Sequence, residues 1–269
     1  MVEAQLPDYE QIAARFDKWM PYLSPVSEAL FERLPVYPQN RILDIACGTG
    51  EPGLSLARRY VSKATVVGVD AAVGMVAVAR SKAKNESLNN IEFSAMNAEK
   101  LDFSDCSFDG VLSRFGLMLL ENPKAGCFEM LRVLKVGGHY AIAVWDRYDK
   151  NTLFFLLTQV FNQRVPAQYK LPVEIGSRLA GLDVLPNMLK ECGASQVTTE
   201  LFNFEMKFSD FQAIWSLVQD SGLYDAQINS LPTDEHIAVK EHLKSLVSRF
   251  NDNSGYSIPH CCRLAWGMR

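Results

Sequence analysis

Between residues 41 and 145, short apolar runs alternate with segments of helical periodicity, and this alternation constrains the fold more than any other feature. The strand-like runs, rich in β-branched and other apolar residues, are 41–46, 64–70, 91–96, 108–115 and 139–145. Between them lie stretches that predict helices, notably 73–84 and 123–135, with Gly137-Gly138 as the turn before the last strand. Ahead of the first strand, residues 12–34 predict two short helices broken at Pro21 and Pro25. Strands that alternate with helices at this spacing form a parallel sheet covered by helices on both faces. The sequence therefore predicts an α/β fold.

The loop after the first predicted strand reads "LDIACGTGEPG" (43–53) and carries Gly48, Gly50 and Gly53. This glycine spacing is typical of a dinucleotide-binding turn, where a pyrophosphate lies at the N-terminus of the following helix. Here, however, two carboxylates flank the glycines, Asp44 and Glu51. Like charges at about 4 Å repel by about 1 to 4 kcal/mol between aqueous and surface dielectrics, which disfavours a phosphate. A ligand with a cationic group at this end is favoured instead.

The second predicted strand ends at Asp70, a placement that suits hydrogen bonds to the hydroxyls of a ribose. The expected ligand therefore has a ribose, a cation where a pyrophosphate would otherwise sit, and a base. S-adenosylmethionine has an ammonium, a sulfonium, a ribose and an adenine, and it lacks phosphate. We expect this cofactor, with Asp44 either accepting from its ammonium or acting on the dipole of the following helix.

Four stretches in order carry a family resemblance: "LDIACGTG" (43–50), "VVGVD" (66–70), residues 96–120 and residues 129–146. They are similar to the class I S-adenosylmethionine-dependent methyltransferases, in the broad group that includes the ubiquinone/menaquinone-biosynthesis C-methyltransferases. The resemblance implies a Rossmann-like, mostly parallel sheet of seven strands with helices on both faces and a helical lid. Its last strand, 256–268, would run antiparallel to 196–208.

The resemblance also implies cofactor-binding roles, grouped by the part of the cofactor that each residue would meet. The methionine moiety would be held by Asp44, Gly48, Thr49 and Gly50, with Arg114 beside its tail. The ribose would be held by Asp70, and the adenine by Ala71, Met75, Asn97 and Ala98. Two residues depart from the family pattern: Ala46 replaces a common glycine, a change we expect to be tolerated, and Asn97 replaces a common aspartate. The amide oxygen of Asn97 can still accept from the adenine amino group.

The segments outside the predicted core are rich in large apolar residues and are expected to pack over one end of the sheet. The predicted division is an N-terminal lid (1–34), core (35–146), lid insertion (147–180), core (181–208), lid insertion (209–250) and closing strand (251–269). Four aromatic residues are candidates for the acceptor site, although each is equally compatible with packing: Phe16, Trp19, Phe115 and Trp145. The apolar content of these segments favours a small apolar or aromatic methyl acceptor.

Composition excludes several other classes of protein. The formal net charge of −4 and the pI near 5.7 give no basic footprint for nucleic acid. The N-terminus has no apolar signal region and no stretch is long enough to span a membrane, so we expect a cytoplasmic protein. The scattered cysteines predict thiols, and the spacing of the histidines predicts no metal site.

Several alternatives stay open at this level. The motifs report cofactor binding and not turnover, so a non-catalytic S-adenosylmethionine-binding or scaffold protein is an alternative. A nucleic-acid or protein methyltransferase is less favoured, because "SRFG" (113–116) stands where a nucleic-acid amino-methyltransferase carries an N/D-P-P-Y-type motif. A nicotinamide oxidoreductase is disfavoured by Asp44. The catalytic base, the acceptor, the methylated atom and the oligomeric state are not predicted.

Overall fold

The computed structural model describes residues 7–171, 177–252 and 254–269. Residues 1–6 and 172–176, which belong to predicted lid segments, and residue 253 of the predicted closing segment lie outside this description. The strands are β1 (Arg41–Ile45), β2 (Thr65–Asp70), β3 (Ile91–Ala95), β4 (Phe108–Arg114), β5 (Leu134–Trp145), β6 (Gln196–Phe208), β7 (Asn251–Asp252) and β8 (Gly255–Met268).

The described helices lie between and around these strands. They are α1 (Tyr9–Phe16), α2 (Met20–Arg33), α3 (Gly53–Arg59), α4 (Val73–Asn85), α5 (Pro123–Val133), α6 (Thr152–Asn162), α7 (Val184–Glu191), α8 (Phe211–Asp220), α9 (Asp225–Asn229) and α10 (Thr233–Val247). Short 3₁₀ turns lie at Asp17–Trp19, Leu117–Leu119, Tyr148–Lys150, Ala167–Tyr169 and Ser248–Phe250.

One sheet runs through the molecule in the order β3-β2-β1-β4-β5-β8-β6, and β7 pairs with β8 at its margin. The chain moves outward from β1 to β2 and β3, then returns to the other side of β1 for β4 and β5. Right-handed crossovers in these opposite directions place α3 and α4 on one face and α5 on the other. The order therefore reverses between β1 and β4, and in open α/β sheets the crevice at such a switch point is where ligands bind.

The prediction of a mostly parallel sheet with an antiparallel closing hairpin is confirmed. β8 runs antiparallel to both neighbours, with His139 of β5 opposite Met268 and Gln196 of β6 also opposite Met268. The seven long strands match the prediction, and the two-residue strand β7 adds an eighth. At the centre of the core Ile42, Leu43 and Ile45 of β1 are at most 1% exposed.

Two predicted breaks in the secondary structure are wrong. Gly137 and Gly138 do not end an element, because β5 already begins at Leu134 and passes through a register shift against β4. Gly137 takes a φ of +76°, which lets the strand bend without stopping. Pro25 lies inside α2 and does not break it. Pro25 cannot donate to the carbonyl of Pro21, and the hydroxyl of Ser24 donates to that carbonyl instead, at 2.8 Å.

Three further features concern membrane-spanning helices, metal ligands and thiols. In the described part of the chain, no helix combines the length and the apolar character needed to cross a membrane. Over the same residues, no three His, Cys, Asp or Glu side chains are grouped as metal ligands. Each of the six cysteines is a free thiol, as predicted.

Gly267 tests the close pairing of β8 with β6. A Cβ added there would lie 1.8 Å from the carbonyl oxygen of Gln196, so the two backbones would have to separate. We expect G267A to lower the free energy of unfolding by about 3 kcal/mol, the upper end for overpacking. The control G137A, whose added Cβ meets nothing within 4 Å, should cost about 1 kcal/mol for its positive φ alone. Equal stabilities in urea unfolding would contradict this pairing.

Candidate active site

A cavity of about 990 Å³ opens at the carboxyl ends of β1, β2, β4 and β5 and is covered by the N-terminal helices and by α6 and α9. Its volume is at the upper end of the range for small-molecule sites. The structure brings most of the predicted site residues to its wall: Phe16, Trp19, Gly48, Thr49, Asp70, Ala71, Met75, Ala98, Arg114, Phe115 and Trp145. Asp44, Gly50 and Asn97 do not line it.

Asp70 fixes the first end of the glycine loop. Its Oδ2 accepts from the backbone nitrogen of Gly48 at 2.8 Å, and its Oδ1 accepts from that of Ala72 at 2.9 Å. Gly48 takes a φ of +53°, so the loop turns sharply where it meets the cavity. Burial raises the pKa of Asp70, opposed by these two backbone hydrogen bonds. A carboxylate that lines the cavity therefore also shapes the loop beside it.

Asp44 fixes the other end of the loop from behind. It is fully buried, and its Oδ2 accepts from the backbone nitrogen of Gly53, the first residue of α3, at 2.9 Å. Burial raises its pKa to about 8, opposed mainly by the charge of Arg114. The carboxyl thus caps a helix, the alternative that the sequence left open, while its Oδ1 has no hydrogen-bond partner among the described residues. Contact between Asp44 and the cofactor stays a prediction.

Gly50 also faces away from the cavity. It takes a φ of +103°, and an added Cβ would lie 2.7 Å from Leu54 and 3.1 Å from Ala79. The glycine is needed because the loop packs closely onto α3 and α4. Its predicted contact with the methionine moiety is therefore not supported by its position.

Arg114 lies at the end of β4 and joins the loop to α2. It is 8% exposed, and its guanidinium donates to the hydroxyl of Ser27 at 2.6 Å and to the carbonyl of Glu51 at 3.1 Å. Burial lowers its pKa to about 10, opposed by the charges of Asp44 and Glu51. Glu51 also lines the cavity, and its carboxylate pairs with Arg58 at 2.8 Å.

Asn97 is exposed and turned away from the cavity. Its Oδ1 accepts from the backbone nitrogen of Glu99 at 2.8 Å, the local hydrogen bond that asparagine commonly makes in turns. Its neighbours Met96 and Ala98 line the cavity instead. The contact of Asn97 with the adenine stays a prediction, and Met96 is a lining residue that sequence reasoning missed.

The N-terminal helices are fastened over the site by polar contacts. The carboxylate of Glu10 accepts from the backbone nitrogens of Val73 and Gly74, the latter at 2.5 Å, and so caps α4, which has no side-chain cap of its own. Asp17 accepts from the hydroxyl of Thr49 and from Lys82, the latter at 3.0 Å. In the sequence, the one sign of the Glu10 contact is that Ala72, which precedes α4, has no polar side chain with which to cap this helix.

Aromatic rings form the other half of the cavity. Phe115 stacks on Trp145 with centroids 3.8 Å apart and planes at 11°. Phe154 lies edge-on to Trp145 at 5.2 Å and tilted against Trp19 at 5.5 Å. The ring of His260 packs behind this wall, and burial lowers its pKa to about 4. The four predicted aromatic residues therefore all reach the cavity, and Phe154 joins them.

Comparisons with known proteins agree with this arrangement. A family model described as a methyltransferase domain matches residues 42–138. The demethylmenaquinone methyltransferase of Bacteroides fragilis is 31% identical over 184 residues, which cover 63% of this chain and 73% of the relative. The chain belongs to the class I S-adenosylmethionine-dependent methyltransferases.

Two further proteins extend the comparison. The ubiquinone/menaquinone biosynthesis C-methyltransferase UbiE of Geobacter sulfurreducens is 40% identical over 154 residues, which cover 56% of this chain and 58% of the relative. The crystal structure of the YcgJ protein from Bacillus subtilis superposes with a TM-score of 0.60 at 20% identity, covering 93% of this chain and 98% of that one. At this identity the structural likeness shows the fold alone.

The residues at the loop end fit S-adenosylmethionine, the cofactor of this family. The half-buried carboxylate of Asp70 can accept from ribose hydroxyls. The backbone at Gly48 is open to the cavity, because an added Cβ there would meet only Phe16, at 3.8 Å. Arg114, beside them, offers a cation to a carboxylate.

Replacing Asp44 should change how stability depends on pH. The folded carboxyl keeps its proton up to a pKa of about 8, whereas in the unfolded chain it ionises above its ordinary 3.8. Its contribution to wild-type stability is therefore full below pH 4 and is lost as the pH rises toward 8, by up to about 1.4 kcal/mol per pH unit. We expect D44N to become more stable relative to the wild type across this window, measured by urea unfolding without ligand.

Asp109 provides the control of opposite sign. Partial burial raises its pKa, but hydrogen bonds from Lys135 and from the backbone of Arg41 outweigh this and leave the pKa lowered. Its ionised form stabilises the fold above the ordinary pKa, so D109N should be less stable than the wild type at neutral pH. A pH-independent difference between D44N and the wild type would contradict the protonated state of Asp44.

Proposed function

We propose that this methyltransferase moves a methyl group from S-adenosylmethionine to a small apolar, aromatic acceptor. The observation that carries the proposal is the continuity of one cavity from the glycine loop to the aromatic wall of Phe115, Trp145 and Phe154. A methyl donor at the loop and an acceptor against the rings would then share one enclosed space. Alignment of two reactants in such a space is the main contribution that a methyltransferase makes to catalysis.

We assign the cofactor contacts by their position along the wall. Asp70 would accept from the ribose, and Ala71, Met75, Met96 and Ala98 would surround the adenine. Gly48, Thr49 and Arg114 would hold the methionine tail, with Asp44 supporting the loop from behind. When bound, S-adenosylmethionine supplies a methyl group already activated by its sulfonium. The chain's own residues orient the two reactants and exclude water.

The acceptor class is supported by the composition of the cavity and by the relatives. The rings of Trp19, Phe115, Trp145 and Phe154 offer stacking and edge contacts to a planar apolar molecule. The relatives' names describe methylation in menaquinone and ubiquinone synthesis, where the acceptors are of quinone type. The covered position of the cavity and the net charge of −4 favour such a metabolite over nucleic acid.

The N-terminal helices and the segments 147–180 and 209–250 would serve as the lid. Arg15 of α1 pairs with Asp225 of α9, with one hydrogen bond at 3.2 Å, and Lys18 pairs with Asp220 at 3.1 Å. These pairs join the first lid segment to the last. Each is partly exposed, so each contributes little alone and can break when ligands enter or leave.

Methyl transfer to 1,4-naphthohydroquinone under anaerobic conditions tests the function. We expect S-adenosylhomocysteine to form in proportion to enzyme, and no product with bulk tRNA or a histone-tail peptide. Binding of S-adenosylmethionine without turnover on a panel of aromatic acceptors would support the non-catalytic alternative. Turnover on tRNA or the peptide would instead overturn the assigned acceptor class.

Asp70 tests the cofactor assignment by calorimetric titration with S-adenosylmethionine. We expect D70N to bind about 10- to 100-fold more weakly, the loss of one hydrogen bond to a charged group. The control D102N changes an exposed acid in the loop after β3 and should bind as the wild type does. Equal affinities for D70N and the wild type would remove Asp70 from the ribose site.

Glu10 tests the lid. Its carboxylate holds the N-terminus of α4 only while α1 lies over the cavity, so E10Q should release S-adenosylhomocysteine faster, by about tenfold for one charge-assisted hydrogen bond. E32Q alters a more exposed acid of the same N-terminal segment and should leave the rate unchanged. Stopped-flow tryptophan fluorescence measures both, and identical rates for E10Q and the wild type would argue against a lid held by this contact.

A further inference from the structure

Three hydroxyl groups in the acceptor half of the cavity belong to residues that pack with aromatic side chains of α6 or lie on that helix. Tyr148 follows β5, Thr158 lies in α6, and Tyr224 precedes α9; all three line the cavity wall. They come from two different inserted segments, 147–180 and 209–250, which the fold brings together. No role in binding the cofactor has been assigned to any of them, because the glycine loop and the adenine wall lie on other elements.

Tyr148 and Thr158 form one side of this group. The hydroxyl of Tyr148 donates to the carbonyl of Phe154 at 2.9 Å, so its oxygen is held beside the aromatic wall. Burial raises the pKa of Tyr148 to about 12, opposed by a hydrogen bond with the Thr158 hydroxyl. Thr158 is only 8% exposed, so the surrounding side chains, and not bulk solvent, set the orientation of its hydroxyl.

Tyr224 forms the other side. Its ring stacks on Phe161 with centroids 5.6 Å apart, and the residue is 6% exposed. Among the described residues, its hydroxyl has no hydrogen-bond partner. The polar atoms that are both fully buried and without a partner do not include it, so this hydroxyl is not fully buried. The hydroxyl therefore opens into the cavity that Tyr224 lines. Burial and, to a smaller extent, electrostatic repulsion from Tyr148 raise the pKa of Tyr224. The phenol therefore stays protonated and able to donate.

A purely structural role does not account for this hydroxyl. Phenylalanine would stack on Phe161 equally well, whereas a largely buried hydroxyl with no partner among the described residues is a net cost to that part of the fold. A ligand oxygen would supply the missing partner. A tyrosine hydroxyl can donate to that oxygen, and the threonine hydroxyl can accept from a ligand hydroxyl, so the group suits a ligand oxygen that both accepts and donates.

We propose that Tyr148, Thr158 and Tyr224 form an oxygen-recognising subsite that binds a phenolic hydroxyl of the aromatic methyl acceptor. This inference rests on the proposed function and names the residues that would recognise a hydroxyl of its aromatic acceptor. The rings of Trp145 and Phe154 hold the planar body of the acceptor, and the subsite fixes its rotation within that plane. Rotation of the acceptor decides which of its atoms faces the methyl donor, so the subsite determines the position of methylation.

The test compares 1-naphthol with naphthalene, two probes that differ by one hydroxyl. Calorimetric titration uses the full chain saturated with S-adenosylhomocysteine. We expect 1-naphthol to bind the wild type about tenfold more tightly than naphthalene, the effect of one net hydrogen bond. Y224F should lose this preference and retain the affinity for naphthalene, because the stacking on Phe161 is unchanged. T158V, which also removes a hydroxyl, should reduce the preference.

Control measurements separate this proposal from the proposed function. Y37F removes the hydroxyl of a tyrosine that is 61% exposed and does not line the cavity, and it should keep the full preference. Thermal unfolding with S-adenosylhomocysteine checks that Y224F is folded, and Y148F gives a second variant. Binding of naphthalene with no preference for 1-naphthol, or a preference that survives in both Y224F and Y148F, overturns the subsite alone. Failure of both probes to bind overturns the aromatic acceptor site as well.

Discussion

Two carboxylates hold the two ends of the loop between β1 and α3, and the active site depends on this arrangement. Asp70 accepts from the backbone nitrogen of Gly48 at the cavity side, and Asp44 accepts from that of Gly53 on the buried side. Between them the loop passes through positive φ at Gly48 and Gly50, where a side chain would be strained. The shape of the loop therefore follows from two carboxyl groups placed on neighbouring parallel strands.

The N-terminal segment closes the cavity by contacts with this same loop region. Arg114 joins Ser27 of α2 to the carbonyl of Glu51, and Asp17 joins Thr49 to Lys82 of α4. These contacts are polar, in contrast to the apolar packing that holds α2 on the sheet. The contact of Asp17 with Lys82 is partly exposed and can exchange with water, whereas that of Arg114 with Ser27 is buried. The cover can thus loosen locally while the core beneath it remains intact.

The sequence predicted the elements whose signal is local. Strand runs, the glycine loop and Asp70 at a strand end were all recognisable from spacing, and the aromatic residues at strand ends reached the cavity as expected. Orientation was not predictable where a hydrogen bond decides it: Asn97 accepts from the backbone of Glu99, and Asp44 accepts from the first residue of α3. Pro25 and Gly137 were misread because Ser24 and a strand irregularity compensate for them. Contacts between distant segments, such as Glu10 with α4, leave almost no mark on local sequence.

Strain at two adjacent strand ends ties the cofactor half of the cavity to the acceptor half. Ala46, just after β1, and Phe115, just after β4, take φ values of +54° and +64°, a conformation that costs about 1 to 2 kcal/mol for a residue with a side chain. Neighbouring contacts offset this cost. The methyl of Ala46 occupies the space beside Gly116. The backbone N–H of Phe115 donates to the carbonyl of Ala143 at 2.8 Å, and the ring of Phe115 stacks on Trp145. Substituting alanine for the family's common glycine at 46 is therefore tolerated only with strain. Because β1 and β4 are paired, the two strained turns fix the position of the aromatic wall relative to the glycine loop.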